Sequence, residues 1–210
     1  MHARTSAPRR ARILSEEDAD LGKESLDKHS PALDNLLKNG DFVATAELTD
    51  RSHPLPEYFV SSSHNTYLMA HQLYGKSSAE AYETAIRTGS RCVEIDAWDG
   101  DNKDEPKVTH GYTLVSHIPF RAVCETIRDM CDEEAKLAGQ NPGHSPTPIL
   151  LSLENHCDEH GQKRLAEIMI EVFGDRLLSK PVRDEGHAEQ AGYSEHVRLN
   201  ELGAKVAVIV

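Results

Sequence analysis

Ile149-Leu150-Leu151-Ser152-Leu153 carries a single polar residue and follows a Pro/Gly loop, Asn141–Pro148. A run this apolar reads as a strand buried on both faces, the habit of parallel strands covered by helices. Lys205-Val206-Ala207-Val208-Ile209-Val210 reads the same way. Cys92-Val93-Glu94-Ile95-Asp96 alternates apolar and polar and predicts a third strand. Helical stripes lie between them. Phe120, Val123, Cys124, Ile127, Met130 and Cys131 follow Pro119, a suitable first helical residue. Leu165, Ile168, Met169 and Val172 make another stripe that stops near Gly174. Tyr82, Ala85 and Ile86 make a third, with Gly89 after it and a capping-box spacing, Ser77 to Glu80, before it. Tyr58-Phe59-Val60 reads as a short strand and Lys107-Val108-Thr109 as a weak one, after the turn Asp99-Gly100-Asp101-Asn102. Alternation of strands and helices predicts an α/β fold with parallel strands.

The 210 residues suffice for one sizeable core. Residues 1–53 are charged and Pro-containing and read as a disordered N-terminal tail. The core region runs over 54–180, a polar loop or linker over 181–200, and the last strand over 201–210. A formal net charge of −12 argues against non-specific nucleic-acid binding and opposes adsorption to anionic membranes without a cation or a positive patch. No apolar run is long enough for a membrane span, and no signal peptide is expected. Cys92, Cys124, Cys131 and Cys157 lack a CxxC pair and read as reduced thiols of a cytoplasmic protein.

Sites in parallel α/β folds lie at the C-terminal ends of strands. His64 and Asn65 follow the first strand, Glu94 and Asp96 end the second, His110 follows the third, and Glu154 ends the fourth. Glu94 and Asp96, two residues apart on a strand, share a face. Paired carboxylates repel unless a cation or proton lies between them. With Glu154 and the Asn65 amide oxygen they form an all-oxygen donor set that suits Ca²⁺ or Mg²⁺, and the irregular carboxylate set leans to Ca²⁺. The two histidines can then exchange protons near neutral pH, which suits chemistry at phosphorus. A lone strand carboxylate usually faces solvent and a lone His is usually structural, so convergence carries the inference. His156 and His160 read as solvated residues of a helix start, Trp98 as rim packing, and Cys124 with Cys131 as core.

The segments Tyr58–Leu68, Gln72–Ser78, Arg91–Gly100, Thr109–Thr113 and Ile149–Cys157 together resemble the X region of eukaryotic phosphoinositide-specific phospholipase C, over about residues 54–178. The resemblance implies the X half of a TIM-type (β/α) barrel, incomplete by itself, with Ca²⁺ held by Asn65, Glu94, Asp96 and Glu154. It implies cleavage of an inositol phospholipid at a membrane surface to diacylglycerol and an inositol phosphate through a cyclic phosphate. His64 would stabilise phosphoryl charge, His110 would protonate the departing oxygen, and Glu94 or Glu154 would assist deprotonation of the inositol 2-hydroxyl. Ile209 and Val210 stand where the first headgroup-binding lysine of the family is expected, and no headgroup residue is assigned. A Y-half polypeptide or continuation is the expected partner, since the Lys205–Val210 edge otherwise invites aggregation. The expected location is cytoplasmic and peripheral at membranes. The alternative is a non-catalytic phospholipase-like fragment or regulatory module lacking the Y half. A glycerophosphodiester phosphodiesterase fits the Ser-rich run and the Trp98-Asp99-Gly100 turn less well.

Overall fold

The computed structural model describes residues 50–140, 146–183 and 196–210. Residues 1–49 of the expected tail, and 184–195 of the expected linker, lie outside them. Eight short strands and four helices appear in the described residues. They are β1 (Ser62–Ser63), β2 (Tyr74–Gly75), α1 (Glu80–Arg87), β3 (Cys92–Trp98), β4 (Lys107–Val108), β5 (Leu114–Val115) and β6 (Ile118–Pro119). Then come α2 (Phe120–Gln140), β7 (Ile149–Asn155), α3 (Glu159–Phe173), α4 (Leu199–Leu202) and β8 (Val206–Ile209).

β1, β3, β7 and β8 run parallel, and the longest pairing joins β3 to β7 from Cys92–Leu150 to Ala97–Asn155. Strand alternation sorts this sheet into two faces. Val93, Ile95 and Ala97 of β3, with Ile149 and Leu151 of β7, are buried in the core that also takes the helix stripes. Every residue expected on the stripe of α2 is buried, Cys124 and Cys131 included. The stripe of α3 is buried as expected, and its N-cap is Asp158, whose carboxylate accepts from Gly161 N at 2.9 Å.

Three local expectations are corrected. Tyr58–Val60 is not a strand: a 3-10 turn, Leu55–Glu57, precedes it, and pairing begins only at Ser62. No capping box forms at α1. The Ser77 hydroxyl is drawn away by the Ser116 carbonyl (2.6 Å), and Ser78 Oγ accepts from Glu80 N instead. β4 runs antiparallel to β3, with Lys107 opposite Trp98. The connection from Asp99 to Pro106 is too short for a parallel crossover and makes a hairpin through the expected turn. β6 extends that hairpin, and β2 pairs β5 in a separate two-stranded sheet.

Three backbone hydrogen bonds fasten the segments around the last strand. Leu178 N donates to the Val206 carbonyl (2.8 Å) on the side of β8 away from β7. Leu55 N donates to Val197 O (2.8 Å), and Asn200 N donates to Arg51 O (2.9 Å), which ties the segment entering the domain to α4.

Leu151 has no exposed surface, whereas Ile170 on α3 is 60% exposed. Replacing Leu151 with Ala should therefore cost about 2–5 kcal/mol of unfolding free energy, from lost transfer energy plus the cavity. Ile170→Ala should cost about 0.5 kcal/mol or less. Denaturant unfolding of the full chain followed by circular dichroism checks both, and equal effects would contradict the placing of Leu151 in the core and Ile170 at the surface.

Candidate active site

The face of β3 opposite the core carries Glu94 and Asp96. Register then places Glu154 of β7 directly beside Asp96. The side chain of Glu94 is 20% exposed and that of Glu154 is 60% exposed, while Asp96 is buried. Three carboxylates thus share one end of one face, as expected from sequence.

The loop after β1 reaches this group through a left-handed residue, Asn65, at φ 49°. Asparagine tolerates that conformation better than most residues. The turn aims the Asn65 backbone N–H at Glu94 Oε2 (2.5 Å). His64, which is largely exposed, puts Nε2 3.5 Å from the same oxygen. Thr66 Oγ1 accepts from Glu94 N (3.1 Å), so loop and strand grip each other at two points.

Tyr67 is fully buried beneath the loop. Its hydroxyl donates to Asp96 Oδ2 and lies 3.1 Å from Asn65 Oδ1. Burial, the bond to Asp96 and the nearby carboxylates all raise the phenol pKa, so it stays a donor. Tyr82, a fully buried core residue on α1, donates to the Glu94 carbonyl oxygen (2.8 Å).

On the other side, one donor atom from each of Asp96, Glu154 and His156 lies within 4.8 Å of the others, a group able to hold a metal ion. His156 Nε2 is 3.4 Å from Glu154 Oε1, and its ring stacks on Trp98 at 4.0 Å between centroids. Trp98 meets Tyr112 edge-on at 5.5 Å. A Cβ on Gly111 would sit 2.1 Å from Trp98 Cζ2, so only glycine lets that loop approach the indole. The expectation that His156 opens a solvated helix is corrected, because α3 starts after Asp158 and His156 N is bonded to the Ala97 carbonyl (2.8 Å).

His110 follows β4, and Thr109 N donates to the Asp96 carbonyl (3.3 Å), which brings this loop to the same strand end. The His110 Nδ1 atom is buried without a hydrogen-bond partner in the structure. Sequence thus located His64, Asn65, Glu94, Asp96 and Glu154 at one strand end and His110 on the adjoining loop. It missed Tyr67 and His156. For His156 the signal was present: two residues beyond Glu154, it shares that residue's face.

Asp96 is the electrostatic centre. Burial raises its pKa most; the Tyr67 hydrogen bond opposes this, and Glu94 and Glu154 add to the rise. Its Oδ1 is buried with no partner. An unpaired carboxylate oxygen beside two further acids fits a cation. In the metal-free chain the charge is a cost. An acid whose folded pKa lies above its unfolded value gives stability that grows as pH falls through the folded pKa. Asp96→Asn should raise the thermal unfolding midpoint in chelator at neutral pH, and the gain over wild type should shrink as the solution is acidified. An unchanged or lower midpoint at neutral pH would contradict this account of Asp96.

The family model for "Phosphatidylinositol-specific phospholipase C, X domain" matches residues 51–210. The human 1-phosphatidylinositol 4,5-bisphosphate phosphodiesterase delta-4 is 42% identical over 171 residues, 78% of this chain and 21% of that protein. The Caenorhabditis elegans 1-phosphatidylinositol 4,5-bisphosphate phosphodiesterase beta egl-8 is 42% identical over 137 residues, 64% of this chain and 9% of that protein. Among solved structures, S. officinalis PLC21 superposes with a TM-score of 0.65 at 35% identity, over 77% of this chain and 19% of that one. The chain therefore spans about a fifth or less of these relatives. A Pseudomonas calcium-dependent phosphoinositol-specific phospholipase C shares the fold at 17% identity, with a TM-score of 0.51 over 79% of this chain and 61% of that one. The open parallel sheet is accordingly part of a TIM-type barrel, and the chain belongs to the phosphatidylinositol-specific phospholipase C X-domain family.

Proposed function

We propose that this chain supplies the calcium and histidine machinery of a phosphoinositide phospholipase C that cleaves an inositol phospholipid. The observation that carries the proposal is the meeting of Asn65, Glu94, Asp96 and Glu154 at one strand end, beside His64. Oxygen donors of this kind suit Ca²⁺. Bound there, calcium supplies positive charge against the charge that develops on the phosphoryl oxygens and the attacking hydroxyl.

The residues of the chain do the rest. Glu94 accepts the proton of the inositol 2-hydroxyl as that oxygen attacks phosphorus. His64 donates a hydrogen bond to the phosphoryl oxygens as their charge grows. His110 gives its proton to the diacylglycerol oxygen as the P–O bond breaks, leaving a cyclic inositol phosphate. His110, now neutral, takes a proton from water as the water attacks phosphorus. The ring opens, and Glu94 returns its proton to the 2-oxygen.

A lipid surface fits the outer part of the site. Leu73, Tyr74, Tyr112 and Leu114 are 60% exposed or more, and the β2–β5 pairing sets Tyr74 beside Leu114. Tyr112 connects this apolar edge to Trp98 and His156. Among the described residues no helix is long and apolar enough to cross a membrane. The cysteines lack a CxxC pattern, and we place the protein on the cytoplasmic side, peripheral at membranes. The names of the relatives favour a 4,5-bisphosphate headgroup.

The test is phosphodiesterase turnover on vesicles of phosphatidylinositol or its 4,5-bisphosphate, with calcium or with chelator. The chain is assayed alone and with a Y-half polypeptide added. Calcium-dependent release of cyclic and open inositol phosphates is expected, and His64→Ala and His110→Ala should each lower the rate about a hundredfold or more. Calcium binding without turnover in either arm would favour a non-catalytic module. Undiminished turnover in chelator would remove calcium from the mechanism.

A further inference from the structure

We propose that Tyr67 is a positioning residue of the cation site, whose hydroxyl holds Asp96 Oδ2 so that Asp96 offers Oδ1 alone to the ion. The inference rests on the calcium reading of the site given above. Four observations carry it. Tyr67 is fully buried, so its ring cannot swing away without opening the core. Its hydroxyl donates to Asp96 Oδ2, which occupies one of the two carboxylate oxygens. The other oxygen, Oδ1, is buried and has no partner. The same hydroxyl lies 3.1 Å from the Asn65 amide oxygen, another proposed ligand atom.

A carboxylate can grip a cation with one oxygen or two, and the choice sets coordination number and geometry. Here the phenol makes the choice. It occupies Oδ2, fixes the rotation of the carboxylate about its Cβ–Cγ bond, and leaves Oδ1 without a protein partner. Outer partners that orient ligands in this way are worth about 10–100-fold in metal affinity.

The experiment is calorimetric titration of the full chain with calcium, comparing wild type, Tyr67→Phe and Tyr82→Phe. Tyr82 is the control because it too is a buried tyrosine bonded to β3, but through the Glu94 carbonyl rather than a ligand oxygen. Tyr67→Phe should raise the calcium Kd about tenfold or more, while Tyr82→Phe leaves it within about twofold. Thermal unfolding in chelator separates a positioning role from a structural one, since both variants lose a buried hydroxyl. Affinity unchanged in Tyr67→Phe, or lost equally in both, overturns the inference and leaves the calcium reading standing. A wild-type chain that binds no calcium overturns both. A crystal structure of the unaltered chain with calcium needs no variant: Oδ1 on the ion with Oδ2 still on Tyr67 supports the assignment, and ligation through Oδ2 or through both oxygens overturns it.

Discussion

The register of β3 against β7 is the constraint on which the rest of the molecule depends. Pairing Asp96 with Glu154 puts two carboxylates side by side at the end of one face, and the same alignment pairs Val93 with Leu151 and Ile95 with Leu153 on the other. A slip of one residue in β3 would turn Val93 and Ile95 out of the core and drive Glu94 and Asp96 into it. Burying two large aliphatic side chains is worth several kcal/mol, and burying two unpaired acids would cost at least as much. The apolar face therefore fixes the register, and the register creates the acidic cluster. Core and site are one arrangement seen from two sides.

What the strands bring together, the loops must tolerate. Glu94 is steadied by the Asn65 N–H and by His64, Asp96 by Tyr67, and Glu154 by His156. Glu94 and Asp96 thus each accept a hydrogen bond, and the Asp96 oxygen pair is split between a satisfied and an orphaned atom. Natural proteins accept such costs where a ligand will repay them. The left-handed Asn65 and the glycine under Trp98 are further local concessions in the same neighbourhood.

Much of this was legible in sequence because it depends on period. Alternation in Cys92–Asp96 and the 3.6-residue stripes of the helices survive into the structure since burial enforces them. Features decided by competition between partners were not legible. The Ser77 hydroxyl could cap a helix or bond Ser116, and nothing in the chain's local order favours a residue 39 positions away. The antiparallel turn of β4 follows from a short connection, a length that could have been weighed but was masked by the expectation of crossovers. A tyrosine among small polar residues, as Tyr67 is, reads as packing until its hydroxyl is seen between Asp96 Oδ2 and Asn65 Oδ1. His156 reads as part of a helix start because the helix stripe begins only at Leu165, whereas the Asp158 cap places it outside the helix.

The open face sharpens the electrostatics. Four parallel strands are paired among the described residues, whereas a closed barrel of this type needs eight. The polar face of β3 and β7 is therefore partly in water, and Glu154 keeps 60% of its side-chain surface. Water screens Glu154 from the two less exposed acids. Covering that face would remove the screening and strengthen every charge interaction at the strand end, since the attraction between a cation and a carboxylate grows as the effective dielectric falls. The repulsion among Glu94, Asp96 and Glu154 would grow by the same factor. Closure thus favours the cation-filled site over the empty one, and a surface that covers the sheet acts on ion affinity without touching a ligand. On the proposed calcium reading, metal binding and covering of the open face would reinforce each other, because the ion offsets the repulsion that covering strengthens.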